Sequence, residues 1–476
     1  MKNKSIIFLY IFLSVIVVST KNLVSKDEEK DLKITEETNE ILEKIVKKVL
    51  NIGDKSIENT LQDNNKTNTG IINQTRLFQG DIVLNPSQAK DIIDQVVEKV
   101  ESEGIDVSEY TGNTKIRNKR KMEANMSLIW EFPIPYIVEE GVNDTLVMIA
   151  LKLMELETCI RFQRQATLIP KAGLRYYRDV GCFSHVGRKL LNTFQDISIG
   201  DGCETIGTIQ HETMHALGSY HEQSREDRDN YLKVFLNNVK KDSEYNFIKV
   251  NLSSSLTYNT RYDYGSEMQY PTNAFSINEQ PTMLPVEPFY EKTLGVDGGL
   301  SFVDVKLLNY HYCIKICPLP IVCFNDGYQD PNNCAKCKCV NGYTGDYCDQ
   351  LPPKLSHCGD TLYEISHRKK YLYIYGGKNC IHHLKGKSNK KLKITITVLN
   401  YYPTFKNRCK LDNSLEIKYL EDKTVTGALF CLNDNATIFS RNDHVIVHHR
   451  STSTNNGATL EIESIEDSNK TDTIKK

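Results

Sequence analysis

A chain of 476 residues is too long for one hydrophobic core and implies several domains. Lys and Arg number 59 against 61 Asp and Glu, and the net charge of −2 excludes a general attraction to nucleic acid or to an anionic membrane surface. The longest N-terminal apolar run, Ile6–Val18, is too short for a transmembrane anchor, and no later stretch approaches the required length.

That run follows Lys2 and Lys4 and precedes the small residues Ser19 and Thr20, which predicts a cleaved secretory signal over residues 1–20. Secretion places the fourteen cysteines in an oxidising, extracellular compartment, where an even count favours pairing. Sequons beginning at Asn65, Asn73, Asn125, Asn143, Asn251 and Asn435 permit glycosylation. Residues 21–120 carry no cysteine and contain two helical stripes: Ile41, Leu42, Ile45, Val46, Val49, Leu50, then Ile92, Ile93, Val96, Val97, Val100. They end at Arg117-Asn118-Lys119-Arg120, a run of the kind cut by secretory-pathway processing proteases, and are read as a propeptide released by such a partner.

Residues 121–314 read as one mixed domain. Asn143 or Asp144 caps a helix expected to carry Leu146, Ile149, Ala150 and Leu153 on one face. Strand-like runs surround Leu174–Tyr177 and Ile197–Ile199. A helix should then begin near Ile206 and stop at Gly218, holding most of the eleven residues His211–His221, H-E-T-M-H-A-L-G-S-Y-H. On that helix His211 and His215 lie one turn apart on one face and can share a metal ion, with Glu212 beside it but not ligating. Gly218 can turn the chain back through a left-handed conformation so that His221 supplies a third nitrogen. Three protein ligands with an open fourth position are how catalytic rather than structural zinc is held.

Cys317–Cys348 packs six cysteines into the spacing C-x5-C-x10-C-x2-C-x-C-x8-C. So small a module needs staples. Structural zinc is the rival reading, but secretion and spacing favour three disulfides. The pattern resembles an EGF-like domain (residues 315–349), which implies Cys317–Cys334, Cys323–Cys337 and Cys339–Cys348; no calcium signature precedes it. After the stiff Leu351-Pro352-Pro353, Leu392, Ile394, Ile396 and Val398 alternate with polar residues, as do Leu460 and Ile462. With cysteines at 358, 380, 409 and 431 and Leu415-Glu416-Ile417 after the third, residues 350–464 resemble a CUB domain, a small all-β sandwich, implying Cys358–Cys380 and Cys409–Cys431. Both modules suggest protein docking. His382–His383 and His448–His449 invite a metal reading, but neighbours on a strand point to opposite faces, and surface histidines are the favoured reading. Residues 465–476 read as a disordered polar tail.

Together these pieces resemble a secreted nematode-type astacin-family zinc metalloproteinase, a metzincin. The zinc motif continues through Glu222 to Arg225 and Asp227-Arg228-Asp229-Asn230-Tyr231; Ser266-Glu267-Met268-Gln269-Tyr270 stands where the family has its Met-turn. Phe78-Gln79-Gly80-Asp81 matches the family's inhibitory F-x-G-D motif, and Leu128-Ile129-Trp130 with Ile134-Pro135-Tyr136 resembles the start of the mature enzyme. Thr158-Cys159-Ile160-Arg161-Phe162 and Gly181-Cys182-Phe183-Ser184-His185-Val186-Gly187 match the surroundings of its cysteines and imply Cys159–Cys313 and Cys182–Cys203. The resemblance implies an α+β, two-subdomain protease that hydrolyses internal peptide bonds of protein substrates. One zinc would be held by His211, His215 and His221, with Tyr270 as a weak further ligand and oxyanion donor and Glu212 as general base. It further implies a latent form in which Asp81 fills the open metal position, and a new amino terminus that contacts Glu222 after cleavage near Arg120. Gln269 departs from the family, which usually has histidine there, and supports the alternative of a catalytically impaired scaffold acting through its EGF-like and CUB-like contacts.

Overall fold

The N-terminal stripes form the helices their spacing demands. In the computed structural model, which describes residues 26–53, 76–111, 129–189, 192–250, 257–387, 390–403, 408–432 and 435–466, α1 spans Lys26–Gly53 and α2 spans Pro86–Ser102. The signal, the Arg117–Arg120 run and residues 467–476 lie outside the described residues. Asn85 caps α2 through a reciprocal capping box with Gln88, which fixes where the helix starts. Ile45 and Val100 bury against each other's helices, with Ile41, Val49, Val96 and Val97 packed around them. A short strand β1 (Ile82–Val83) precedes α2, and a one-turn helix α3 (Ser108–Thr111) follows it.

The next domain is built on a six-stranded sheet containing β2 (Ile134–Val138), β3 (Phe162–Arg164), β4 (Gly173–Tyr177), β5 (Cys182–His185) and β6 (Phe194–Ile199), in the order β1-β5-β6-β4-β2-β3. β5 runs antiparallel to β6; the other pairings are parallel. β1 therefore extends the sheet from outside by pairing with β5, Ile82 opposite Ser184 and Val83 opposite His185. The N-terminal segment also docks through a polar face of α1. Asp31, Thr35 and Asn39 are buried there; Asp31 meets Lys189 Nζ at 2.5 Å, and Thr35 Oγ1 accepts from Leu84 N at 2.8 Å.

Helix α4 (Asp144–Glu157) is capped by Asn143, as expected, but its buried face differs from the expected one. Val147, Ala150, Leu151 and Met154 are buried, while Ile149 and Leu153 are each 40% exposed. The helix is apolar almost all the way round, so periodicity alone did not define its phase. Helix α5 (Ile206–Ala216) follows β6; β7 (Leu232–Val234) pairs with β8 (Met283–Pro285), and α6 (Phe302–Tyr312) closes the domain.

Beyond it, β9 (Tyr328–Gln329) and β10 (Cys337–Lys338) form a small hairpin among three disulfides, and two sheets make a sandwich. The five-stranded sheet contains β11 (Leu362–Glu364), β13 (Asn379–Lys385), β15 (Ser414–Lys418), β16 (Ala428–Phe430) and β18 (His444–Arg450). The four-stranded sheet contains β12 (Lys370–Tyr375), β14 (Lys390–Asn400), β17 (Thr437–Phe439) and β19 (Gly457–Glu466). All seven disulfides join the expected partners.

Three expectations for this region are corrected. Leu392, Ile394 and Ile396 are buried as expected, but a bulge between Ile396 and Val398 leaves Val398 47% exposed. β19 continues to Glu466, so the tail cannot begin at 465. The histidine pairs are buried, not on the surface: His382 and His383 are 1% exposed, His448 6% and His449 0%. Each finds a polar partner, including the Asp360 carbonyl for His382, His444 for His383, Asn379 for His448 and Tyr401 for His449. Hydrogen bonding offsets the cost of taking an imidazole out of water.

Candidate metal centre

Thr205 caps α5 by accepting from Thr208 N at 3.0 Å, and the helix ends at Ala216, whose carbonyl receives the indole N–H of Trp130 at 2.7 Å. Gly218 has φ +105°, the left-handed exit expected of it, and brings His221 back over the helix face.

Each histidine presents the same atom inward. His211 Nδ1 lies 2.8 Å from the Glu267 carbonyl, His215 Nδ1 2.7 Å from the Ser219 carbonyl, and His221 Nδ1 2.9 Å from Gln79 Oε1. Oxygen acceptors of this kind require an N–H at Nδ1, so in the neutral rings all three Nε2 atoms carry lone pairs. His211 and His215 Nε2 are 3.1 Å apart. Asp81 completes the group, its Oδ2 at 3.0 Å from His221 Nε2 and 3.3 Å from His211 Nε2, its Oδ1 at 3.7 Å from His215 Nε2. Nitrogen and oxygen ligands at about 2.0–2.2 Å around a tetrahedral ion are separated by roughly 3.3–3.6 Å. Three inward lone pairs facing a carboxylate at these spacings fit zinc and call for a cation.

Asp81 reaches the centre from a tight loop. Phe78 and Ile82 exchange backbone hydrogen bonds across it, and Gln79 and Gly80 have φ of 52° and 84°. A Cβ on Gly80 would lie 2.8 Å from the ring of Phe275, so the loop and the wall it rests on both require glycine.

Glu212 is 1% exposed, and its Oε2 has no hydrogen-bond partner among the described residues. Burial pushes its carboxyl well up, against the pull of His211. Tyr270 packs against His221 at a tilt of 57° with ring centroids 4.5 Å apart, and its hydroxyl donates to the Gln79 carbonyl. The tyrosine is thus engaged by the N-terminal segment. Met268 is 2% exposed beneath the histidines' helix, in the same apolar cluster as Met214 and Ala216. Gln269 stands apart from the metal cluster: its amide nitrogen donates to the Tyr270 carbonyl at 3.0 Å, and its oxygen accepts from Tyr262. Gln269 contributes no atom to the candidate ligand cluster.

Sequence reasoning placed His211, Glu212, His215, His221, Tyr270 and Asp81, and the structure gathers all six. It gave no role to Gln79, whose amide holds His221 and whose carbonyl holds Tyr270, nor to the Glu267 and Ser219 carbonyls. Backbone acceptors leave no trace in residue type. Beside the site, Glu222 borders a cavity of about 100 Å³ also lined by Tyr220, Tyr258 and His311. Burial, opposed by Arg225, raises the Glu222 carboxyl to about 7.

Three converging imidazoles with the Asp81 carboxylate at the fourth corner, and a second buried carboxylate alongside, suit a zinc centre. Residues 122–313 match the peptidase family described as Astacin. Zinc metalloproteinase nas-34 of Caenorhabditis elegans is 34% identical over 379 residues, 79% of this chain and 62% of the relative. Zinc metalloproteinase nas-29 of the same species is 32% identical over 382 residues, 76% of this chain and 70% of the relative. Among solved structures, high choriolytic enzyme 1, a hatching enzyme zinc-protease from Oryzias latipes, is 33% identical and covers 40% of this chain and 96% of its own, with a TM-score of 0.36. The chain belongs to the astacin family of zinc metalloproteinases, and it spans less than two thirds of the length of nas-34.

Proposed function

We propose that the chain is a secreted zinc-dependent endopeptidase held latent by its own N-terminal segment. The observation that carries this reading is the Asp81 carboxylate lying 3.0–3.7 Å from the three histidine Nε2 atoms. Asp81 occupies the corner where a nucleophilic water has to stand, while β1 fills the edge of β5 where an extended substrate would pair.

Zinc held by His211, His215 and His221 would supply Lewis-acid chemistry, bringing the pKa of water to about 7 and polarising the scissile carbonyl. Glu212 takes the water's proton and delivers it to the leaving amine. Tyr270, released from the Gln79 carbonyl, turns its hydroxyl to the developing oxyanion. The carbonyls of Glu267 and Ser219 keep His211 and His215 in the ligating tautomer throughout.

Activation requires an activating protease to cut near Arg120, freeing residues 21–120 from the catalytic domain at 121–314. The cavity beside Glu222 supports a seat for the new amino terminus, whose ammonium would stabilise that carboxylate against its burial. Residues 315–349 and 350–464 act as EGF-like and CUB-like modules that dock protein substrates or partners. The test is hydrolysis of gelatin or casein by the processed chain, with and without a zinc chelator. Chelator-sensitive hydrolysis that disappears in Glu212→Ala supports the reading; full activity of Glu212→Ala refutes it.

A further inference from the structure

The C-terminal sandwich is joined to the protease domain by more than a linker. Tyr290 packs on Tyr419 with centroids 5.7 Å apart, and Phe289 packs on Phe430 at 6.2 Å. One apolar cluster runs from Tyr264 and Tyr270, through Tyr290, into Leu415 and Ile417 of the sandwich. At the centre of this contact a polar group is buried without any solvent exposure: the carboxylate of Asp263.

Asp263 opens the segment that ends at Tyr270. Its carboxylate accepts from Gly265 N at 3.1 Å and, across the domain boundary, from Thr426 N at 3.0 Å and Thr426 Oγ1 at 3.2 Å. The Ser301 side chain also hydrogen-bonds to this carboxylate, so two of its four bonds come from the sandwich. The close approach depends on Gly265, where a Cβ would sit 2.5 Å from the Thr426 methyl. The backbone N–H of Asp263 donates to Glu222 Oε1 at 2.9 Å. Three residues further on, Ser266 Oγ and Glu267 N both donate to the Asp304 carboxylate, at 2.6 and 2.9 Å. The Glu267 carbonyl is the acceptor that fixes His211 Nδ1. A short continuous path of hydrogen bonds and backbone thus leads from Thr426 to a metal-binding histidine and to Tyr270.

We propose that Thr426 is a positioning residue for the metal centre, so that the C-terminal sandwich is a working part of the catalytic unit in addition to any docking it performs. Loss of the Thr426 hydroxyl leaves a buried carboxylate oxygen without its cross-domain donor, and a group in that state shifts toward water or another donor. A shift of the Asp263 backbone carries Gly265 and Ser266 with it, and so the Glu267 carbonyl. The kinetic part of this proposal rests on the endopeptidase reading; the metal-retention part does not.

The test uses the full, processed chain and a quenched peptide too short to reach the sandwich. Thr426→Val keeps the side-chain shape and removes the donor. It is expected to lower kcat about three- to tenfold at unchanged KM, and to speed zinc loss to a competing chelator by a similar factor. Thr426→Ser restores both. Arg441→Ala breaks the Arg441–Glu287 ion pair at the exposed rim of the same interface and leaves both unchanged, which separates positioning from general loosening. Wild-type kcat and zinc loss in Thr426→Val overturn the proposal, as do equal effects in Arg441→Ala. If the processed wild-type chain cleaves no peptide, the endopeptidase reading fails, and the zinc-loss comparison still decides the role of Thr426.

Discussion

Substituting alanine at Gly80 strikes the proposed latency loop without touching a candidate metal ligand. Gly80 has φ +84°, and its missing Cβ faces Phe275 at 2.8 Å, closer than real carbon contacts allow. An L-residue in the left-handed region costs about 1–2 kcal/mol. Overpacking a well-filled contact adds about 1–3 kcal/mol. Phe275 cannot yield freely, since it packs on Tyr270 and on Phe247 with centroids 5.8 and 6.1 Å apart. Taking about 3 kcal/mol for the sum, seating of Asp81 weakens by about 150-fold. The assay is peptide hydrolysis by the unprocessed chain, expressed as a fraction of the same chain after processing. Gly80→Ala should leak at about 150 times the wild-type fraction, up to the ceiling set by the processed enzyme. Adding Phe275→Ala should recover the steric part and leave the backbone part. A Gly80→Ala chain as latent as wild type would refute the claim that this loop sets the lock.

Asp81→Ala should raise the activity of the unprocessed chain further than Gly80→Ala, because it removes the occupant of the fourth corner; unchanged latency counts against the switch. Glu212→Gln should cut kcat by about 10²–10⁴ while zinc content stays at the wild-type level, measured by metal analysis on the assayed sample. His444 and His448 are each depressed to about 3, chiefly by burial and then by the nearby cations Lys423 and Arg450, against an ordinary value of 6.5. Between pH 6.5 and about 3 the unfolded chain binds protons that the folded chain does not, so stability is fully present above 6.5 and falls on acidification. Each histidine contributes up to about 1.4 kcal/mol per pH unit, and a melting temperature of the sandwich that does not change between about pH 7.5 and 5 excludes the effect. Paired Cys159→Ser and Cys313→Ser substitutions open a loop of 154 residues and should cost about 3–5 kcal/mol, read as a lower Tm of the protease domain.

The metal-binding residues were legible because their chemistry dictates their spacing. A helix places His211 and His215 on one face, and a glycine exit is the economical way to return His221. Disulfide partners, and the position of Asp81 that the proposed lock rests on, came through family resemblance, which carries long-range pairing that local pattern does not. What the sequence hid has physical reasons. Helix α4 is apolar on nearly every face, so which side meets the sheet depends on the partner surface. The bulge at Ile396–Val398 inverts an alternation that looked regular. Nothing in the sequence marks Asp31, Thr35 and Asn39 of α1 for burial; they are buried because partners such as Lys189, Leu84 and Leu77 lie on distant segments of the chain. Thr426 has no signature at all; its role exists only once two domains meet at Asp263.

The most direct test of the central claim is a zinc titration of the processed chain after metal removal, with peptide turnover followed at each step. Turnover should be nil without zinc, rise in proportion to added metal and break at one equivalent per chain. Turnover in the metal-free chain, or one bound zinc per chain without turnover, would contradict it.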